Sequence, residues 1–455
     1  MFSRSLTIAL SIFAGAPFAY SQNVSIATYQ VDVTPLLGSP LCGGAVLPAQ
    51  VITDPLTARG VILLPEGQQP VVLCAVDWVG IANSGHDEWR NALAEAAGTD
   101  ASRVAVHTLH QHDAPFCDFD TEALIDEQGM GGRMFNVPFA RECMERAAAA
   151  VREAKSKTTP VTHVGVGQAE VEKVASNRRV LGPDGTVLHT RWTATKDPEV
   201  RAFPVGTIDP MVQAVSFWNG DEPLVVMTYY ATHPQSHYGQ GAVSADFPGM
   251  ARSMREEALP GVKHIHFNGA GGNVTAGKWN DGSPENRPVL AGRLADGMKR
   301  AWESTSKTPV SAADIGWTVD DVALPPRAEV TLEDERARLA DASLEDNVRL
   351  RAAREVALLE RHVAGKKTTI ALLKIGPVRI LHMPGELFIE YQLAAQAMLP
   401  ERPVCMAAYG DYGPGYIGTT VSYGEGGYET GLYVSRTAPS VEEVLLGSLQ
   451  RLLSD

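Results

Sequence analysis

Hydrophobic positions in this chain fall mostly into short unbroken runs separated by polar, glycine-containing segments. Residues 71–75, 104–107, 223–230, 370–375 and 378–382 read as strands, whereas 139–157, 247–258 and 289–304 carry apolar residues at helical spacing. The pattern predicts a mixed α/β fold in one large domain, since no repeat, low-complexity block or Pro/Ser-rich linker divides the chain. Gly376-Pro377, between two apolar runs, predicts a tight hairpin that delivers His382-Met383-Pro384-Gly385-Glu386 to a strand end. Glu386 is then expected to open a helix running towards Met398. The charge-rich stretch from Leu332 to about Lys366, with Leu and Ala at helical spacing, reads as a solvent-facing hairpin or arm.

The N-terminus follows another logic. Arg4, an apolar run over 6–19 and Ala19-Tyr20-Ser21 before Gln22 make the charged, apolar and small-residue sections of a secretory signal peptide. Residues 1–21 are therefore expected to be removed, leaving a mature chain of 22–455 in the periplasm or outside the cell. No later run is apolar for long enough to cross a bilayer as a helix. A formal charge of −14 argues against nucleic acid as a partner, because phosphate neutralisation needs a basic surface. The five cysteines are odd in number and show no paired metal spacing, so at least one is unpaired within the chain; one or two disulfides remain open.

Candidate chemistry concentrates where runs end. His107-Thr108-Leu109-His110-Gln111-His112-Asp113 places three imidazoles and a carboxylate after a predicted strand, and alternation would put His110 and His112 on one face. A single such histidine more often makes structural hydrogen bonds; three within six positions point to metal. A second cluster, Thr232-His233-Pro234-Gln235-Ser236-His237, follows the strand ending at Tyr230 and offers a third ligand. The loop Gly269-Ala270-Gly271-Gly272-Asn273-Val274-Thr275 follows a further strand, and its glycines allow close backbone approach. It lacks the Lys-Ser/Thr ending of a phosphate loop. From Tyr409 to Thr420, and on to Tyr423 and Tyr428, tyrosines and glycines alternate in a manner that serves pocket linings and packed surface loops alike.

Taken in order, these segments resemble the zinc hydrolase domain of the neutral/alkaline non-lysosomal ceramidase family over nearly the whole mature chain. The likeness runs from Val31-Asp32-Val33-Thr34-Pro35 through His110-Gln111-His112, Asn177-Arg178, Thr232-His233, the glycine loop, Pro384-Gly385-Glu386 and Gly415-Tyr416 to Tyr428. It implies a mixed α/β zinc-hydrolase fold, with zinc held by His110, His233, Glu386 and Tyr416. His112 and Arg178 are implied to polarise the substrate carbonyl, and Gly269, Asn273 and Tyr428 to face the substrate. A His/His/Glu set suits catalytic zinc, whose bound water ionises near neutral pH and is expected to attack the carbonyl; protonated His112 and Arg178 would hold the resulting oxyanion. Asp113 and Asp246 are candidates for carboxylates that orient a ligand imidazole from behind. Two departures stand out: Gly269 replaces the family's serine and Asn273 a neighbouring aspartate. The chain also stops short of the family's C-terminal immunoglobulin-like domain.

Three activities fit the sequence. One is an amidase acting on ceramide or a similar N-acyl compound, which calls for an apolar tunnel to desolvate an acyl chain. Another is a zinc hydrolase of a polar substrate such as a sugar ester, lactone or glycan appendage, for which Trp192, Trp279, Tyr412 and Tyr428 would form an aromatic rim. The third is a binding protein that keeps the metal without catalysis, against which the complete ligand set argues.

Overall fold

Three mixed sheets, each burying one face in a common apolar core and the other beneath helices, position everything that follows. The protein is described by a computed structural model over residues 23–454, so the expected signal peptide lies outside the described residues. In the first sheet the strand order is Val104–Thr108, Val71–Val76, Thr57–Pro65, Val24–Asp32, Thr159–Val161. The second runs Lys263–Asn268, Glu222–Tyr230, Met211–Asn219, His163–Glu170, Ser306–Pro309, and the third Ile315–Val322, Thr368–Ile375, Val378–His382, Val404–Ala407. Each sheet is antiparallel apart from one parallel pair: 71–76 with 104–108, 222–230 with 263–268, and 378–382 with 404–407.

Strand alternation explains the unbroken apolar runs. Leu73, Ala105, Met227, Phe267, Ile380 and Cys405 meet in the shared core, one pair from each sheet. Their neighbours point the other way. Val72 and Cys74 pack with Trp89, Leu93 and Ala147; Val226 and Tyr230 with Phe247, Leu290 and Leu294; Leu372 and Leu381 with Tyr391, Leu445 and Leu449. With both faces covered, the central strands select for apolar residues at nearly every position, and each fully buried aliphatic side chain contributes about 1.5–3 kcal/mol.

The helices expected over 139–157, 247–258 and 289–304 are observed at Val137–Lys155, Asp246–Ala258 and Asn286–Glu303. The 376–377 hairpin pairs Ile375 with Val378, and the positive φ of Gly376, 52°, is one that proline or a branched residue would not adopt. Two expectations need correction. Glu386 does not open a helix: Glu386–Leu387 is a short strand paired in parallel with Tyr416–Ile417, and the helix begins at Ile389. The 332–366 arm is a helical hairpin, Leu332–Ala340 and Asp346–Val363, but it is not merely solvent-facing. Ala352, Ala353, Val356 and Leu359 are buried, and Glu355 receives Arg436 at 2.6 Å. All five cysteines are free, four of them buried, so core packing rather than cross-linking holds the sheets. Among the described residues no helix is long and apolar enough to cross a membrane.

Candidate metal centre

The parallel pairs of the three sheets empty towards one point. His110 follows the end of Val104–Thr108, His233 the end of Glu222–Tyr230 and Glu386 the end of Val378–His382, so each sheet supplies one buried side chain. Carboxyl ends of strands are where open α/β sheets gather ligands, and here three sheets share the task. His110 and His112 do not lie in a strand as alternation suggested. The strand stops at Thr108, and His110 adopts a left-handed φ of 69°, held by its N–H to Trp78 O at 2.8 Å and its carbonyl accepting from Gln235 Nε2 at 3.0 Å. Tyr409, also left-handed at 59°, stacks on the His110 ring with centroids 4.7 Å apart. Such strain persists only where its surroundings enforce it.

Ligand-type atoms of His110, His233 and Glu386 all lie within 4.8 Å of one another. Glu386 Oε2 is 3.1 Å from His110 Nε2 and 2.9 Å from His233 Nε2. The tautomers follow from the opposite ring edges. His110 Nδ1 lies 2.8 Å from Val79 O, and His233 Nδ1 lies 2.6 Å from Gly271 O; a carbonyl only accepts, so each Nδ1 donates. In the neutral rings both Nε2 atoms are then lone pairs facing a carboxylate, and neither His110 Nε2 nor Glu386 Oε2 makes an aligned hydrogen bond to protein. Three converging acceptors without a proton among them are a cation's donor set, and two imidazoles with one carboxylate suit zinc.

Around this set lies a layer of donors. Tyr416, the cross-strand partner of Glu386, puts its Oη 3.0 Å from His233 Nε2 and accepts from Arg178 Nη1 at 3.1 Å. Burial raises its phenol well above the usual range. Arg178 is buried and keeps its charge: burial opposes it, but Tyr416 and Glu429 more than compensate. Trp192, Tyr416 and Tyr428 surround the guanidinium at 5.1, 5.6 and 5.5 Å. His112 sits edge-on to His110, centroids 5.3 Å apart, and against Tyr238. Enclosure, then His110 and His233, push it well below its ordinary value, so it stands here as a neutral imidazole rather than the imidazolium expected from sequence.

Of the two adjacent arginines, Arg178 faces the cluster; Arg179 turns to Glu429 and Glu425 at 2.9 and 3.1 Å. Tyr428 reaches the surface beside Arg178, 44% exposed, next to Trp192 at 45%. Asn273 and Gly269 are committed elsewhere. Asn273 Nδ2 donates to Glu390, and its Oδ1 accepts from Ile389 N, capping the 389–398 helix. A Cβ at Gly269 would lie 2.5 Å from Gln392 Oε1, so a larger residue there must displace the Gln392 amide. Asp113 and Asp246 orient no imidazole: the first accepts from Gly239 N, the second from Ser236 and Phe247 N, while the backbone carbonyls of Val79 and Gly271 do the orienting. Trp279 and Tyr412 are not rim residues. Trp279 packs on the core behind the second sheet, and Tyr412 is buried with its hydroxyl donating to Glu386 Oε1. Sequence reasoning missed Tyr409, the inward role of Tyr412, and Glu429. The tyrosine-rich composition of 409–428 was the available signal for the first two.

No family model matches the sequence, and no curated protein matches it. Solved structures do. A crystal structure of neutral ceramidase from Pseudomonas aeruginosa and a structure of ceramidase complexed with C2 each align at 16% identity with a TM-score of 0.69, covering 94% of this chain and 73% and 74% of theirs. The chain thus has the mixed α/β fold of neutral ceramidase, with a buried His110/His233/Glu386 group able to hold a metal.

Proposed function

We propose that this protein is a zinc-dependent hydrolase of the neutral ceramidase type, cleaving an N-acyl amide of ceramide or a related N-acyl compound. The observation that carries the reading is the convergence of His110 Nε2, His233 Nε2 and Glu386 Oε2 in one buried cluster, beside Tyr416 and Arg178. His110, His233 and Glu386 would hold the zinc, with the Tyr416 phenol as a weaker fourth ligand. Zinc in such a set supplies Lewis acidity and a water ionised near neutral pH.

The chain's own groups do the rest. Val79 O and Gly271 O lock both imidazoles with Nε2 inward, and Tyr412 engages Glu386 Oε1 so that Oε2 faces the cluster. Arg178 is fixed by Tyr416 and by Glu429, preorganised to donate to the oxygen on which charge develops as the carbonyl becomes tetrahedral. Neutral His112 supplies a second donor at that oxygen. Loss of one such donor costs about 10²–10³ in kcat.

One observation favours a second reading, hydrolysis of a polar acyl substrate such as a sugar ester. Trp192 and Tyr428 stand half-exposed and edge to face at 4.9 Å beside Arg178, an arrangement suited to a hydroxylated head group. The experiment is metal analysis of purified protein with turnover of a fluorogenic ceramide, acyl sugars and lactones, with and without chelator. Stoichiometric zinc and chelator-sensitive ceramide cleavage are expected; zinc with turnover of polar esters alone would establish the second reading, and absence of zinc would remove both.

A further inference from the structure

We infer that Glu429 sets the substrate charge this site accepts, by cancelling the charge of Arg178 so that its guanidinium donates to an uncharged carbonyl instead of capturing carboxylates. The inference rests on the hydrolase reading above.

Glu429 is wholly buried and divides its oxygens between adjacent arginines: Oε1 lies 2.7 Å from Arg178 Nε, and Oε2 lies 2.9 Å from Arg179 Nη1. Consecutive side chains reach the same carboxylate because regular pairing breaks between them. Ser176–Asn177 pairs with Val274–Thr275, whereas Arg179–Leu181 pairs with Val187–Thr190. Arg179 is satisfied further by Glu425 at 3.1 Å and by the carbonyls of Ser422 and Gly426. Two guanidinium groups thus meet two carboxylates, and the network is neutral without drawing on Glu386. On Arg178, Nη1 donates to Tyr416 and Nε lies against Glu429 Oε1 as a close ion pair without an aligned hydrogen bond, so the guanidinium keeps donor capacity for a substrate oxygen. Rings of Trp192, Tyr416 and Tyr428 enclose the guanidinium and limit water and salt at it. An unbalanced charge there would act at short range and low screening, which is how a neutral donor site becomes an anion site.

The test compares zinc-loaded wild type, Glu429→Gln and Glu429→Asp on two coumarin amides of equal acyl length, N-butanoyl and N-succinyl. In Glu429→Gln the succinyl-to-butanoyl ratio of kcat/KM is expected to rise by about tenfold or more, and in Glu429→Asp, which keeps the charge, to stay within about twofold of wild type. An unchanged ratio in Glu429→Gln would overturn the inference. A second arm needs no turnover: benzoate binding to metal-stripped protein by calorimetry should be about tenfold tighter in Glu429→Gln, and equal affinity would also overturn it. If the wild type cleaves no acyl substrate, the hydrolase reading fails while the benzoate result still decides the role of Glu429. Should Glu429→Gln not fold, Glu425→Gln at the outer end of the network is expected to shift both readouts in the same direction by about threefold, and no shift would count against the proposal.

Discussion

Two groups of buried histidines, each with one member in the 107–110 segment, could hardly be built more differently. At the junction of the sheets, His107 and His382 bond to one another, Nε2 to Nδ1 at 2.9 Å, and His107 Nδ1 faces Ala408 O at 2.8 Å. The pair spends three of its four ring nitrogens on protein, and no carboxylate faces the fourth, His382 Nε2. His110 and His233 each spend Nδ1 on a backbone carbonyl and turn Nε2 to the space shared with Glu386, where His233 Nε2 also meets Tyr416 Oη. Burial makes the His107, His233 and His382 rings costly to protonate. What separates a metal site from a packed polar core is therefore the direction of the free lone pairs and the presence of a carboxylate among them.

The sharpest way to break this comparison is to remove ligands from one side. His233→Ala and Glu386→Ala are each expected to lose stoichiometric zinc and all measurable hydrolysis, read by elemental analysis and turnover; full metal and activity in either would end the assignment. Next in size is Gly272→Ala, which touches no ligand side chain. Its Cβ would lie 2.3 Å from Glu386 O and 2.8 Å from Leu387 O, so the strand carrying Glu386 must shift. Zinc affinity should fall by about 10–100-fold by competition with a chelator, and wild-type affinity would show that the loop does not position the carboxylate.

On the other side, His107→Ala should leave zinc content intact while lowering stability by about 2–4 kcal/mol, since it opens a void and strips His382 Nδ1 of its partner. The same residue gives a pH signature. Burial lowers His107 from 6.5 to about 3, so the unfolded chain binds a proton that the folded one does not between those values. Its contribution is complete above pH 6.5 and is lost as pH falls towards 3, by about 1.4 kcal/mol per unit. Denaturant titrations from pH 6.5 to 4.5 should be flatter in the variant by that slope; parallel curves would show that His107 is not held neutral. The smallest effect is expected at the surface beside Arg178, where Trp192→Ala should raise KM by about 3–10-fold with little change in kcat, and an unchanged KM would remove Trp192 from substrate contact.

The sequence carried the strands well because burial on both faces leaves an unbroken apolar run, as at 71–76 and 378–382. It also carried the histidine clusters, because His110 and His233 stand directly after such runs. It carried Glu386 to a strand end but not into the two-residue strand it forms, which exists only because Tyr416–Ile417 lies beside it. Nor could it assign the orienting role to Val79 and Gly271: those are carbonyls, present at every residue and identified only by position. Asp113 and Asp246 drew attention as carboxylates, yet their oxygens are occupied by loop N–H groups. Glu429 was invisible for a related reason. A glutamate in a polar, glycine-rich segment reads as solvated until two arginines from a distant hairpin are seen to enclose it.

The origin of the three converging side chains, one from each sheet, reaches beyond chemistry. A cation held there would rivet together segments far apart in the chain, so that sliding any sheet past its neighbours would first require releasing it. Occupancy at one hundred times the dissociation constant adds about 2.7 kcal/mol to the folded state, spread over the whole assembly rather than one loop. Resistance to protease at peripheral helices would then report whether the centre is filled.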